Sequence, residues 1–288
     1  FIIKIKYFIQ YIIILILFII FKFLGLKYSR ILSANIFKLF GPFFRSSKIS
    51  NDNLKKALTN SNEDERKIVL KSMWSNYGKI FAEYMFINDF RNNPKVYQKI
   101  FIENKEELER IKKNSKPVIF ISGHFDNFEL MAMCIEKSGI NLAAIYRPLN
   151  NNFLNPIMEN IRRKYICKKQ SRKGGSGTKS LLKHFKNGSS VALMIDQRVS
   201  EGIKCNLFNN LASTTTIPAQ LAKKFDSEIV PIYIERTKDN SFKIKIYNAL
   251  NFNKDDSIEI ITLKLNKVLE KMIITNPEQW IWTHNRWK

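Results

Sequence analysis

The sequence predicts an α/β fold: a single domain with a mixed, mostly parallel central sheet flanked by helices, preceded by an N-terminal membrane-anchoring helix. Three observations predict it. Short apolar runs such as 117–122 and 191–195 alternate with stretches of helical apolar spacing, the pattern of a sheet with helices on its faces. Residues 7–26 form a long apolar run. The chain has 288 residues, 45% hydrophobic and 12% aromatic, enough apolar surface for one core without disulfides or metals.

The N-terminal run reads YFIQYIIILILFIIFKFLGL, with one Gln and one Lys in 20 residues. At about 1.5 Å per residue it could cross a hydrocarbon core of roughly 30 Å. Lys4 and Lys6 precede it, but no small-x-small cleavage site follows, so a retained anchor is expected rather than a cleaved signal. The chain opens on Phe1 and not on Met, so a trimmed start is expected. Lys22 stands near the end of the run and five basic residues follow it (Lys27, Arg30, Lys38, Arg45 and Lys48), which predicts a cytoplasmic location for everything after it. Residues 31–45 form a second, amphipathic stretch expected to lie in the membrane interface. The competing reading is a pair of buried helices in a soluble protein. Domain bounds of 1–48 for the anchor and 49–288 for the catalytic domain follow.

Further along, 51–88 reads helical, with Leu54, Leu58, Ile68, Val69, Met73, Trp74, Tyr77, Ile80 and Phe81 at helical spacing. Helices are also expected at 104–113, 128–138, 154–164, 177–186, 217–225 and 258–274. Strands are expected at 117–122, 142–146, 191–195, 229–235 and 242–250. In sheets of this kind, chemistry sits in loops past the strand C-termini.

Charge narrows the partners. There are 48 Lys+Arg against 25 Asp+Glu, a formal net charge of +23. Lysines outnumber arginines 36 to 12, a bias that AT-rich coding alone produces. The excess is concentrated: residues 1–50 hold eight basic side chains and no acid, and 160–195 hold ten and no acid. Two such blocks favour anionic partners. Cys134, Cys167 and Cys205 are widely spaced, which excludes a disulfide scaffold and suits a reducing compartment. His124, His184 and His284 are isolated, so neither a zinc-finger pattern nor any other metal-ligand cluster is present in the sequence.

The segment Ser122-Gly-His-Phe-Asp-Asn-Phe-Glu129 lies at a predicted strand-to-helix junction. Four residues separate His124 from Glu129, and a helix starting near Asn127 would let their side chains meet. A carboxylate that holds an imidazole fixes its tautomer and stabilises the imidazolium, which makes a general base for a hydroxyl. The plainer reading is a His near a helix start, with a Glu complementing the helix N-terminus.

Several motifs in order resemble the bacterial lipid A biosynthesis (lauroyl/myristoyl) acyltransferase family, within the wider H-x4-D/E acyltransferases. Gly123-His-Phe-Asp-Asn-Phe-Glu129 is similar to the family's G-H-x-x-N-W-E block, with Phe128 where Trp is usual. Ile145-Tyr-Arg-Pro-Leu-Asn-Asn151 resembles its Y-R-P-x-x-N block, and 188–197, ending Ile-Asp-Gln, its strand-D-Q block. Thr214-Thr-Thr-Ile-Pro218 resembles a following substrate loop, and Pro277-Glu-Gln-Trp-Ile-Trp-Thr-His-Asn-Arg-Trp-Lys288 the family's ending.

The resemblance implies transfer of an acyl group from acyl carrier protein to a hydroxyl of a lipid A precursor, with no cofactor and no metal. It implies His124 as base and Glu129 as its partner, with Asn127, Arg147, Asp196 and Gln197 toward substrate. Arg162, Arg163, Lys164, Lys168 and Lys169 would form a docking surface for the acidic carrier or a phosphorylated glycolipid. It also implies the bacterial inner membrane, with the catalytic domain on the cytoplasmic face. His284 is a second candidate base and His184 a weaker one. Trp280, Trp282 and Trp287 could pack on the core or meet the membrane interface. The alternative acceptor is another membrane glycolipid or a lysophospholipid, acylated from acyl-CoA. Nucleic-acid binding is suggested by charge alone and leaves the apolar N-terminus unexplained. An inactive scaffold of the same fold would not need both His124 and Glu129.

Overall fold

The structure, a computed structural model, describes residues 2–288. In chain order it comprises α1 (Ile2–Phe44), α2 (Ser47–Ala57), α3 (Glu63–Glu83), α4 (Ile87–Asn92), α5 (Pro94–Tyr97), β1 (Ile100–Glu103), α6 (Lys105–Asn114) and β2 (Ile119–Ser122). Then come α7 (Glu129–Lys137), β3 (Leu142–Tyr146), α8 (Asn155–Ile161), β4 (Lys169–Arg172), α9 (Gly175–Lys186) and β5 (Ser190–Met194). The chain ends with β6 (Ile203–Leu207), β7 (Asn210–Thr214), α10 (Ile217–Phe225), β8 (Ile229–Arg236), β9 (Phe242–Ile246) and α11 (Ile258–Thr275).

Seven strands form one sheet in the order β1-β9-β8-β2-β5-β3-β4. Every pairing in it is parallel except β8 with β9. The predicted α/β class is therefore observed, a mostly parallel sheet flanked by helices. Strands β2, β5 and β8 are central and nearly continuous apolar runs, as a sheet covered on both faces requires. The sequence reading missed three features. Strand β1 is short. Strand β4 reads Lys-Gln-Ser-Arg and has no apolar signal, because it is the sheet edge. The β6–β7 hairpin turns at Phe208 and Asn209, both at positive φ, the geometry of a primed two-residue turn without its usual Asn-Gly signature.

Helix α1 is long and apolar enough to cross a membrane by length and composition. It breaks at Gly25, at φ 71° and ψ 168°, a conformation costly for any residue with a Cβ. The Ser29 hydroxyl lies within hydrogen-bond distance of the carbonyls of Phe21 (2.8 Å) and Gly25 (2.7 Å) that the break releases. Before the break, the less exposed residues Tyr7, Tyr11, Ile14, Phe18, Phe21 and Gly25 recur at alternating steps of four and three. Phe18 and Phe21 pack on Phe81, Tyr11 packs on Phe153, and Asn151 Nδ2 donates to the Tyr7 carbonyl at 2.8 Å. The opposite face is exposed isoleucine and phenylalanine: Ile9, Ile13, Ile16, Ile20 and Phe23.

After the break the helix packs one face on α3. A Cβ on Gly78 of α3 would fall 2.3 Å from the Ser33 carbonyl oxygen of α1, so only glycine permits this crossing distance. The outward residues Leu39, Phe40, Phe43 and Phe44 stay exposed and apolar.

Arg30 of α1 enters the core and donates to Glu83 Oε1 at 2.6 Å. Arg236, at the end of β8, donates to both Glu83 and Asp126, and to Asn76 Oδ1 at 3.1 Å. Two guanidinium groups and two carboxylates thus form a buried, net-neutral cluster. Removing one member leaves an uncompensated buried charge, at a cost of about 3–5 kcal/mol. Arg236→Met is accordingly expected to lower the denaturation midpoint steeply in detergent, whereas Lys67→Ala, at the exposed Glu63 pair, should leave it unmoved.

Candidate active site

The sheet register builds the site. Strands β2 and β5 pair so that each residue meets the one 72 positions later, from Ile119 with Val191 to Ser122 with Met194. His124 and Asp196 each lie two residues past their strand and meet in the same register. Asp196 Oδ1 lies 2.8 Å from His124 Nδ1, and Oδ2 accepts the His124 backbone N–H at 2.8 Å. Trp280 Nε1 donates to the same Oδ2 at 2.9 Å.

Electrostatics assign the protons. Burial would raise the Asp196 carboxyl, but His124, through charge and two hydrogen bonds, and Trp280 hold it down at about 2. An ionised Asp196 makes Nδ1 the protonated nitrogen, leaving Nε2 as the lone-pair site. Burial pulls His124 downward, yet Asp196, by charge and hydrogen bond, and Glu129, by charge, lift it above 6.5. The ring is one-fifth exposed, so Nε2 can meet substrate. Gln197 Nε2 lies 3.5 Å from that nitrogen, and Phe128 stands edge-on to the ring at 4.8 Å.

Glu129 is not the ring's hydrogen-bond partner, contrary to the expectation from spacing. It opens α7, and its carboxylate is bound by Arg162 Nε at 2.7 Å and by the Tyr84 hydroxyl. The reason lies in the turn, whose left-handed residue is Asp126 (φ 37°) rather than Gly123. Arg236 grips the Asp126 side chain, and the Asp126 backbone N–H donates to the Gln279 carbonyl at 2.8 Å. The turn therefore sends Glu129 toward Arg162, which begins a π-helical turn over Arg162–Ile166.

The other expected substrate contacts divide. Asp196 is buried beneath His124 and acts on the ring. Asn127 is fully buried and donates to Glu83 Oε2 at 2.8 Å, so it holds the turn. Arg147 is exposed just past β3. In the basic block, Arg162 is paired with Glu129, and Lys169 Nζ bonds Asn141 Oδ1 and Ser189 Oγ. Only Arg163, Lys164 and Lys168 of the five project fully to solvent.

His284 Nε2 accepts the Arg198 backbone N–H at 2.9 Å, and burial holds its pKa below the usual value, so its lone pair is already engaged. His184 lies on α9, away from the His124–Asp196 contact. Trp280, Trp282 and Arg286 are buried, so the C-terminal segment packs on the core. The three cysteines are buried and free, and burial pushes the thiols of Cys134 and Cys167 up to about 12. Among the described residues no cluster of His, Cys, Asp or Glu could hold a metal ion.

Sequence reasoning missed Glu83, Asn76, Tyr84 and Arg236. One signal was available. Asn76 and Glu83 are seven apart, on the stripe of α3 that also carries Met73 and Ile80, and polar groups on a core-facing stripe mark a buried network.

The chain is similar to known proteins along most of its length. The family model described as bacterial lipid A biosynthesis acyltransferase matches residues 2–288. Lipid A biosynthesis acyltransferase 2 of Shigella flexneri is 23% identical over 80% of this chain and 74% of its own length. The lipid A biosynthesis lauroyltransferase of Escherichia coli K12 is 24% identical, covering 85% and 79%, and the myristoyltransferase of the same organism is 22% identical, covering 80% and 71%. Because that family model matches residues 2–288, this chain belongs to the bacterial lipid A biosynthesis acyltransferase family.

Proposed function

We propose that this protein transfers a fatty acyl group from acyl carrier protein to a hydroxyl of a lipid A precursor, with His124 as general base. The observation that carries this reading is the Asp196–His124 pair past the C-terminal ends of β2 and β5, with the ring partly exposed and Nε2 faced by the Gln197 amide. His124 Nε2 takes the proton of the acceptor hydroxyl as its oxygen attacks the thioester carbonyl. Asp196 holds the ring and stabilises the imidazolium. The Gln197 amide, beside Nε2, donates to the oxyanion. Collapse of the tetrahedral intermediate expels the thiolate, which takes the proton back from His124. Glu129 is a positioning residue that raises the basicity of His124 through space and anchors Arg162.

Membrane attachment through α1 on the cytoplasmic face of the inner membrane completes the reading. Its support is the exposed Ile/Phe face of α1 and the basic residues that follow the apolar run. The exposed Arg163, Lys164 and Lys168 suit an acidic carrier or a phosphorylated acceptor.

The protein purified in detergent, given acyl carrier protein thioester and lipid A precursor, should release product detectable by mass spectrometry. His124→Ala should cut turnover by roughly 10²–10⁴-fold with an unchanged circular dichroism spectrum. Unchanged turnover in that variant would sink the base assignment.

The pH profile separates the two carboxylates. Imidazolium cannot accept a proton, so the rate should rise with pH through the His124 pKa, with a midpoint above 6.5. Asp196→Asn removes the charge that raises this pKa, so its acid limb should move to lower pH while its plateau falls. Glu129→Gln, which removes only a through-space charge, should move the limb less. A larger shift in the Glu129 variant would reverse the assignment.

A further inference from the structure

A cavity of about 550 Å³ lies where the end of α1 meets α2, beside the loop after β5 and the C-terminal segment. Its walls include Arg45 and Ser46 from the α1–α2 junction, Arg198 and Ser200 from the loop, and Thr283 and His284 from the C-terminal segment. The volume falls within the roughly 300–1,000 Å³ of small-molecule sites. No Asp or Glu lines it.

The polar part of the wall is made of donors. The guanidinium groups of Arg45 and Arg198 form no ion pair with any described residue, unlike those of Arg30 and Arg236. His284 Nε2 accepts the Arg198 backbone N–H at 2.9 Å, so the proton of the neutral ring is on Nδ1, a further N–H donor. The hydroxyls of Ser46, Ser200 and Thr283 add O–H donors. Two like charges on one cavity repel each other, and no lining side chain offsets them. Helix α2 sharpens the imbalance. Its first turn holds Lys48 and no acid, so cations stand at the positive end of its dipole. An oxyanion held among these groups relieves both terms, and the planar guanidinium fork matches phosphate oxygens.

The surroundings select a lipid. Phe44, on the cavity wall, is 77% exposed, and Leu39 and Phe43 beside it on α1 are exposed as well. A free anion leaves these side chains in water. A lipid whose phosphate enters the cavity covers them with its apolar part, the arrangement by which basic and aromatic residues together hold an interfacial segment.

We propose that this cavity binds the phosphate of a bilayer phospholipid, with Arg45 and Arg198 as its two charged contacts. The inference is independent of the acyl-transfer reading and rests only on attachment of α1 to a membrane. His124, Asp196 and Gln197 do not line the cavity, so the bound phosphate anchors the protein and takes no part in transfer.

The test titrates the full-length protein in neutral detergent with dioctanoyl phosphatidic acid, with dioctanoylglycerol, which has the same chains without the phosphate, and with inorganic phosphate. Phosphatidic acid should bind at least about tenfold more tightly than either. Arg45→Gln and Arg198→Gln should each weaken it by about tenfold or more, while Lys113→Gln, on the exposed side of α6, leaves it unmoved. In the wild-type protein, phosphatidic acid should protect Arg45 and Arg198 from an arginine-specific dicarbonyl reagent, mapped by mass spectrometry, which keeps the assignment falsifiable if a variant misfolds. Equal losses in all three variants, or no protection of the two arginines, overturn the site. Inorganic phosphate binding as tightly as phosphatidic acid overturns the choice of a lipid. A raised KM for the glycolipid acceptor in the arginine variants, with phosphatidic acid affinity unmoved, assigns the arginines to the acceptor and overturns the anchoring role. Each of these failures leaves the acyl-transfer reading to its own test, the His124 variant.

Discussion

A buried, net-neutral cluster of Arg30, Arg236, Glu83 and Asp126 is the constraint on which the rest of the structure depends. It joins four elements distant in sequence: α1, α3, the end of β8 and the turn that follows β2. Each charge is costly to desolvate alone, so the members are tolerated only together. This coupling makes the turn's geometry a property of the whole fold. Asp126 sits at positive φ, which a non-glycine residue adopts only when its surroundings hold it there. Here the guanidinium of Arg236 and the Gln279 carbonyl do so. The turn in turn presents the His124 backbone and ring to Asp196.

The same cluster ties the apolar N-terminal helix to the site. Arg30 lies just past the Gly25 break and reaches Glu83, which also binds Asn127 in the turn. One face of α1 is therefore committed to the body while the other remains apolar and exposed. Helices α1 and α3 pack closely because Gly41 and Gly78 are the points where the two helices and the Trp74 ring approach.

Much of the architecture was legible because apolar runs are local signals. Strand β3 and helix α10 were readable to the residue, and the central strands to within a residue or two. The polar edge strand β4 and the β6–β7 hairpin were not, because an edge strand needs no apolar pattern and the hairpin turn uses Phe208-Asn209. Within the site, His124 and Asp196 were both legible as residues past strand ends. Their pairing was not, because spacing along the chain made Glu129 the nearer partner. Lysine-rich patches were legible as charge, but Arg162 and Lys169 turn out to be engaged within the fold.

The sequence by itself determined the α/β class, the apolar N-terminal helix, the family motifs and the histidine at the strand end. These rest on periodicity and residue type, which neighbours in the chain carry. Only the tertiary structure decided that Asp196 holds His124, that Glu129 turns instead to Arg162 and Tyr84, and that Arg30 joins the core. Those outcomes depend on the parallel register of β2 with β5 and on a buried charge balance drawn from four separate segments. No local pattern encodes either one, because hydrogen bonds and ion pairs between distant segments exist only after the sheet has assembled.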